Sequence, residues 1–241
     1  VGMALVPADA LRVSGLRSVE DVEDALGVPL LGAVPAMRKV DRPADLLIEK
    51  PTSQFAEALR NARASIMGVK SDQKPRIIAL TSAMPSEGKT TTALSLARTM
   101  AIHGQRTLII DVDVRRAQLR GLLGAVGEIV GTVELLRGEA TLDQVIEKST
   151  VENLDQILVN KPYFSSDNLF GNDAMPNLLE DLSGRYDAII LDLPPLLGLA
   201  DGRFIAALAD AVVMVIKWDS TPQHAVSTAM NSLRADGSNV I

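Results

Sequence analysis

The decapeptide Thr81-Ser-Ala-Met-Pro-Ser-Glu-Gly-Lys-Thr90 constrains this chain more than any other stretch. It is rich in turn residues and lies between an aliphatic run, Arg76 to Leu80, and a helical pattern, Thr90 to Ile102. A strand that feeds such a loop directly into a helix belongs to a layered α/β arrangement. The rest of the sequence agrees. Thr107 to Ile110, Ala188 to Leu191 and Ala211 to Ile216 read as further strands, with a helical middle before the third, a helix around Phe204 and another from Gln223 to Leu233. Near-continuous aliphatic strands alternating with helices predict α/β architecture: a mostly parallel central sheet covered by helices on both faces.

Upstream, Ser18 to Leu26 predicts a short amphipathic helix, with a serine N-cap, Val19, Val22 and Leu26 on one face and Gly27 as its stop. Val28 to Pro35 reads as a short strand or extended arm, and 36–50, charged and proline-containing, as a loop or linker. Phe55, Leu59, Ala62 and Ile66 recur at helical spacing and predict a helix from Ser53 to about Met67, ended by Gly68. The polar segment from Gly68 to Pro75 is the next loop. Val240 and Ile241 look like the first residues of another strand, so a C-terminal strand and tail are expected beyond them. No internal repeat appears, and 18–241 reads as a single domain preceded by a leader, 1–17.

Composition narrows the functional classes. With no cysteine there is no disulfide framework and no thiolate metal site, which fits a reducing, cytoplasmic setting. A net charge of −6 and 3% aromatic residues argue against nucleic acid as the main partner. No apolar run approaches the roughly 20 residues of a membrane span. Val1 to Val6 is apolar but lacks the basic segment and cleavage site of a signal peptide. His103 beside Gly104 reads as a charge at a helix C-terminus and His224 as part of a helix start; neither has a second histidine or a cysteine at ligand spacing.

The decapeptide matches the phosphate-binding P-loop pattern, with Ala83 where glycine is usual. Backbone N–H groups of the loop and of the following helix N-terminus converge on phosphate oxygens, and Gly88 lets the backbone come close. Lys89 would reach the β and γ oxygens of a nucleotide, and the Thr90 hydroxyl would ligate magnesium. Two strand ends add carboxylates. Leu108-Ile-Ile110 runs into Asp111-Val-Asp113-Val-Arg115-Arg116, and Ala188-Ile-Ile-Leu191 delivers Asp192 ahead of Leu193-Pro194-Pro195. Asp111 and Asp113, at i and i+2, face one side at the carboxyl edge of the sheet, where open α/β folds bind ligands. Beside a P-loop they are candidates for metal and general-base work. Asp192 occupies the Walker B position, which holds magnesium directly or through water.

Together these motifs resemble the bacterial tyrosine kinases, the cytoplasmic ATPase domains attached to polysaccharide co-polymerases of capsule and exopolysaccharide export. The resemblance runs from about Val19 to the end of the chain: the P-loop at Thr81 to Thr90, the second Walker motif at Asp111 to Arg115 and Walker B at Ile189 to Pro195. Glu57-Ala-Leu-Arg60-Asn-Ala-Arg63 is similar to the family's Glu-x-x-Arg-x-x-Arg oligomerisation motif. At about 100° per residue these three charges share one stripe of a helix. The segment before Val28 resembles the juxtamembrane helix of such proteins, which makes 1–17 a juxtamembrane leader.

The resemblance implies a protein tyrosine autokinase that regulates polysaccharide polymerisation and export. It would transfer phosphate from Mg-ATP to tyrosines of a neighbouring subunit's tail. ATP would lie on Ala83, Met84, Pro85, Ser86, Glu87, Gly88, Lys89, Thr90 and Thr91. Magnesium (Mg2+) would lie on Thr90, Asp113 and Asp192. Lys89, Asp111, Asp113 and Asp192 would form the catalytic set, with Asp111 accepting the tyrosine proton, while Arg115 and Arg116 either anchor phosphates or pair with nearby acids. Glu57, Arg60 and Arg63 would meet a neighbour in a homo-oligomeric ring. The implied partners are a transmembrane co-polymerase segment, in cis or in trans, and a cognate tyrosine phosphatase. The implied location is the cytoplasmic face of the bacterial inner membrane.

The sequence also departs from that pattern. It has two tyrosines, Tyr163 and Tyr186, and no tyrosine-rich tail. Residues 162–175 lack a Pro-Pro-Asn-Pro run, and Leu193 stands where the family often has serine or threonine. Tyr186, just before a strand, reads as structural with its hydroxyl at a polar edge, and Tyr163 as a loop aromatic. The competing reading is a nucleotide-switched assembly ATPase of the ParA/MinD kind without kinase activity. That class carries a signature lysine five positions before the P-loop lysine, where this chain has Met84. A scaffold that has lost catalysis is a third reading, opposed by the intact Lys89, Asp111, Asp113 and Asp192.

Overall fold

The computed structural model describes residues 18–37, 40–68, 74–164 and 169–241. The leader expected at 1–17 and most of the loop at 68–75 lie outside the described residues. The elements are, in order, α1 (Val19–Leu26), a 3-10 turn (Pro43–Asp45), α2 (Leu46–Glu49), α3 (Gln54–Met67), β1 (Ile77–Ser82), α4 (Lys89–Ile102), β2 (Thr107–Asp111), α5 (Gln118–Leu123) and α6 (Thr132–Leu136). There follow α7 (Leu142–Val145), β3 (Glu147–Lys148), β4 (Leu154–Ile157), α8 (Ala174–Ser183), β5 (Ala188–Asp192), α9 (Asp201–Ala206), β6 (Ala211–Val215) and α10 (Gln223–Ala235).

The strands form one sheet in the order β3-β4-β2-β5-β1-β6, parallel except for the antiparallel β3–β4 edge. Alternation along each strand builds two cores. Ile78, Leu80, Ile109 and Ile190 face α3 and α4, meeting Phe55, Leu59, Leu94, Ala97 and Met100. Ala79, Leu108, Ile110, Ile189 and Leu191 face the other way, toward α8, α10 and α1. Helix α4 runs between β1 and β2 in sequence and is buried nearly all round, which its small and aliphatic residues allow. Ser53, where the sequence places the start of this helix, caps α3 by accepting the Ala56 N–H at 3.2 Å.

Two expectations change, and a third narrows to the extended-arm alternative. The stretch 28–35 is extended but joins no strand; the Leu30 N–H donates instead to Glu23 Oε1 at 3.1 Å. The linker 36–50 contains the 3-10 turn and α2, which bury Ala44, Leu46 and Leu47 against α4. Apolar residues in a charged context find cover there that a solvated linker would not give. The helical middle holds strands β3 and β4 as well as three short helices. Val240 makes a single parallel bridge to Val212.

The register aligns the carboxyl ends of the central strands. Asp192 lies level with Leu80 on one side and Asp111 on the other, and Ser82 with Val215. The loops after β1, β2, β5 and β6 therefore leave the sheet at one edge.

Candidate functional site

β1 ends in the loop Ala83 to Gly88, which is fastened from several sides. Ser82 Oγ donates to the Met84 carbonyl at 2.8 Å, and Thr81 Oγ1 to the Pro194 carbonyl at 2.9 Å. The Leu196 and Leu197 N–H groups donate to the carbonyls of Ser82 and Ala83. Glu87 is buried: its Oε2 accepts the Met84 N–H at 2.8 Å and its Oε1 accepts the Thr221 hydroxyl. The loop closes through two left-handed residues, Ser86 (φ 67°) and Gly88 (φ 92°). A Cβ on Gly88 would meet no atom of the chain within 4 Å, so what glycine supplies here is the backbone conformation. Gly88 is also the N-cap of α4, and no side chain caps that end. The first-turn N–H groups of a 14-residue helix thus point into the loop, an arrangement suited to an anion.

Lys89, the first residue of α4, turns its ammonium to the neighbouring strand ends. Nζ lies 2.8 Å from Asp113 Oδ2 and 3.1 Å from Asp192 Oδ1, and donates to Thr90 Oγ1 at 3.2 Å. All four side chains are buried. Burial alone would lower the lysine's pKa, but attraction to Asp192 and Asp113 outweighs it and holds the group above its ordinary value. Asp111 and Asp192 rise as well, which for a carboxyl group favours the neutral form. Burial, and then the charges of Asp192 and Asp113, push Asp111 well above the usual range; Lys89 opposes this without cancelling it. Burial also raises Asp192, against the pull of Lys89 and a hydrogen bond from Thr90.

One ammonium among three buried carboxyl groups leaves lone pairs unsatisfied. Both oxygens of Asp111, Oδ1 of Asp113 and Oδ2 of Asp192 are buried without a hydrogen-bond donor. Backbone bonds hold them in place: the Val112 and Asp113 N–H groups donate to the Asp192 carbonyl at 3.0 and 3.1 Å, and Thr132 Oγ1 donates to the Asp111 carbonyl at 2.8 Å. Orphaned carboxylate oxygens beside a threonine hydroxyl suit magnesium, which takes oxygen ligands and is usually held by one or two carboxylates plus substrate phosphates. Among the described residues no group of three or more histidine or acidic side chains is placed to hold a metal ion by itself.

The remaining predicted residues are easily placed. Ala83 is buried; Met84, Pro85 and Ser86 are exposed on the loop, and Thr91 is half-buried on α4. Glu57, Arg60 and Arg63 lie on α3, away from the carboxylates. Arg60 donates to Glu57 Oε2 and to the Pro51 carbonyl at 2.8 Å, and Arg63 Nε to Gln105 Oε1 at 3.1 Å. Arg115 Nη2 lies 3.7 Å from Asp201 Oδ2, so it pairs with a nearby acid, and Arg116 is exposed. Leu193 is completely buried. The Tyr186 hydroxyl donates to Asp155 Oδ2 at 2.7 Å, the structural role expected of it. The sequence reading missed Thr221, which ties the loop after β6 to the P-loop; its only local signal is a threonine before Pro222 at a helix start.

Comparison with known proteins gives consistent findings. The family model described as "AAA domain" matches residues 75–235. The succinoglycan biosynthesis transport protein ExoP of Rhizobium meliloti is 31% identical over 203 residues, 83% of this chain and 26% of ExoP. The tyrosine-protein kinase CpsD of Streptococcus agalactiae is 31% identical over 190 residues, 78% of this chain and 80% of CpsD. Among solved structures, the kinase domain of the Escherichia coli tyrosine kinase ETK superposes with a TM-score of 0.84 at 26% identity, covering 94% of this chain and 92% of that one. The chain spans 26 to 35% of the length of ExoP and the other long curated relatives.

Proposed function

We propose, proceeding from the fact that this chain belongs to the bacterial tyrosine kinase family, that it is an ATP-dependent protein tyrosine kinase serving polysaccharide polymerisation and export. The observation that carries the reading is the buried Lys89, bridging Asp113 and Asp192 at the mouth of the P-loop, with Asp111 unpartnered beside them.

The steps follow from the residues. The P-loop N–H groups and the N-terminus of α4 bind the polyphosphate, and Lys89 neutralises charge on its β and γ oxygens. Thr90, Asp113 and Asp192 would hold magnesium, which when bound would supply charge neutralisation at the phosphates. Asp111 orients an incoming tyrosine hydroxyl and takes its proton. The tyrosine oxygen forms a bond to the γ-phosphorus as the bond from that phosphorus to the β–γ bridging oxygen breaks and ADP leaves. Positioning and electrostatics carry most of such a transfer. Tyr186 is unsuitable as an acceptor, being buried and bonded to Asp155, so the acceptors belong to another segment or another chain. The ring assembly through Glu57, Arg60 and Arg63, the membrane co-polymerase partner, the phosphatase and the location at the inner membrane's cytoplasmic face are part of the same proposal. No helix of the described residues is long and apolar enough to cross a membrane.

Met84 stands against the nucleotide-switched alternative, because it replaces the lysine which that class supplies across its dimer. The test is incubation with Mg-ATP and a synthetic tyrosine-rich tail peptide, with phosphate mapped by mass spectrometry. Phosphotyrosine that disappears in Lys89→Ala is the expected result. ATP binding with no phosphotyrosine in any condition overturns the kinase reading in favour of a nucleotide-gated assembly module.

A further inference from the structure

We infer that Trp218 is the base-stacking wall of the nucleotide site, a role that rests on the nucleotide reading above and goes beyond it. The argument begins with sheet order. β1 carries the P-loop and has β5 on one side and β6 on the other. The β5 side, with β2 behind it, holds Asp192, Asp113 and Asp111, and Lys89 points there. The end of a polyphosphate that undergoes transfer must lie among those charges. Its other end, carrying the nucleoside, then leaves the P-loop in the opposite direction, over the continuation of β6.

That continuation is a tight turn. The Ser220 and Thr221 N–H groups both donate to the Lys217 carbonyl, at 3.2 and 3.0 Å, and Asp219 sits in the left-handed region at φ 52°. Thr221 Oγ1 accepts the Lys217 N–H at 3.0 Å, and its own proton goes to Glu87 of the P-loop. The register reinforces this link, since Ser82, which leads into the P-loop, pairs with Val215, three residues before Trp218. A strained turn of five residues is therefore clamped to the phosphate loop by a buried threonine and a buried glutamate.

At the middle of this turn stands the chain's one tryptophan, 55% exposed. A large aromatic left in water at the rim of a site, on a backbone held this firmly, offers a preorganised face for a planar ligand. Every base has a π-face, so the recognition is of a purine ring by stacking and is tolerant of its edge groups.

Because Trp218 is the one tryptophan, its fluorescence reports on this position alone. The experiment titrates the whole chain with Mg-ATP and, separately, with magnesium and inorganic tripolyphosphate. It measures tryptophan emission and dissociation constants by calorimetry, in wild type, Trp218→Ala and Trp218→Phe. The expected result is saturable quenching by ATP and a Kd for ATP raised about tenfold or more in Trp218→Ala, in line with base–aromatic stacking. Affinity should be largely restored in Trp218→Phe, and the tripolyphosphate Kd unchanged within about twofold. Equal ATP affinity in wild type and Trp218→Ala overturns the inference while leaving nucleotide binding intact. Failure of the wild type to bind either compound overturns both readings.

Discussion

Arg98 and Asp45 make an ion pair whose two ends are buried very unequally, and removing one end or the other should have very different consequences. Arg98 lies on α4, the helix that begins at Lys89, and is 5% exposed; its Nη1 donates to Asp45 Oδ1 in the 3-10 turn, and its Nε has no partner. The Asp45 side chain is 34% exposed. Deleting the carboxylate strands a buried guanidinium, and an uncompensated buried charge costs about 3 to 5 kcal/mol. Water that reaches the half-open Asp45 side puts Asp45→Ala at the low end, about 3 kcal/mol, somewhat less than the roughly 4 kcal/mol of a contact pair at an effective dielectric of about 20. Deleting the guanidinium instead leaves Asp45 to be solvated, so Arg98→Met should cost about 1 kcal/mol or less. For a domain of this size each kcal/mol moves Tm by roughly 2 to 4 °C. Thermal melts should therefore show a fall of roughly 6 to 12 °C for Asp45→Ala and at most about 4 °C for Arg98→Met, with the double variant close to Arg98→Met. Equal falls, or a larger one for Arg98→Met, would refute the assignment of Arg98 as the desolvated partner.

The other expectations are shorter. Thr221→Val removes the donor to buried Glu87 and should cost about 1.5 to 3 kcal/mol while weakening ATP binding severalfold; an unchanged melt and unchanged calorimetry would show that the P-loop does not depend on this tie. Tyr186→Phe deletes the donor to Asp155, which keeps Lys148 Nζ at 2.9 Å, so urea melts at neutral pH should show a loss of about 1 kcal/mol. Burial first, and the Asp155 bond second, raise the Tyr186 pKa from 10.0, so the unfolded phenol ionises before the folded one. Wild-type stability from this group is complete below about pH 10 and is lost as pH rises beyond it, and Tyr186→Phe should lack that dependence. Arg60→Ala with Arg63→Ala should lower the mass seen by light scattering toward monomer, and unchanged mass would remove this stripe from the ring contact.

How much of this was readable in advance depends on how far apart the interacting residues lie. Lys89 and Thr90 are adjacent and open the helix that follows β1 and its loop, and Asp111 ends an aliphatic strand with Asp113 two residues on, so the sequence alone brings them to one edge. The tie between Thr221 and Glu87 joins residues 134 positions apart and leaves no local pattern. β4 escaped because Asp155 and Gln156 interrupt its apolar run. They are buried at acceptable cost only because Tyr186 and Lys148 donate to Asp155 and Gln156 Nε2 donates to Glu147 at 3.3 Å. The four residues of α2 are too few to display a helical period. Their burial is decided by α4, an element about fifty residues later.

The charged stripe on α3, proposed above as a ring contact, leaves the energetics of such a contact open. Arg60 already holds Glu57 and the Pro51 carbonyl, and Arg63 already holds Gln105. A neighbour would have to exchange bonds rather than add them, and exposed pairs are worth about 0 to 1 kcal/mol. The stripe is therefore better suited to setting the orientation of a ring contact than to supplying its affinity. Its apolar face matters more for function, because Phe55, Leu59 and Ile66 pack into the same core as Leu94, Ala97 and Met100 of α4, the helix whose N-terminus opens on the P-loop. On the proposed reading, assembly on one face of α3 and nucleotide on α4 would act on two helices that share a core. Should the two be coupled, linkage requires that the factor by which ATP alters subunit affinity equal the factor by which assembly alters ATP affinity. The wild-type Kd for ATP would then vary with protein concentration, whereas Arg60→Ala with Arg63→Ala would bind ATP with one Kd at every concentration. A wild-type Kd independent of protein concentration, across a range in which light scattering shows the ring forming, would separate assembly from nucleotide binding in spite of the shared core.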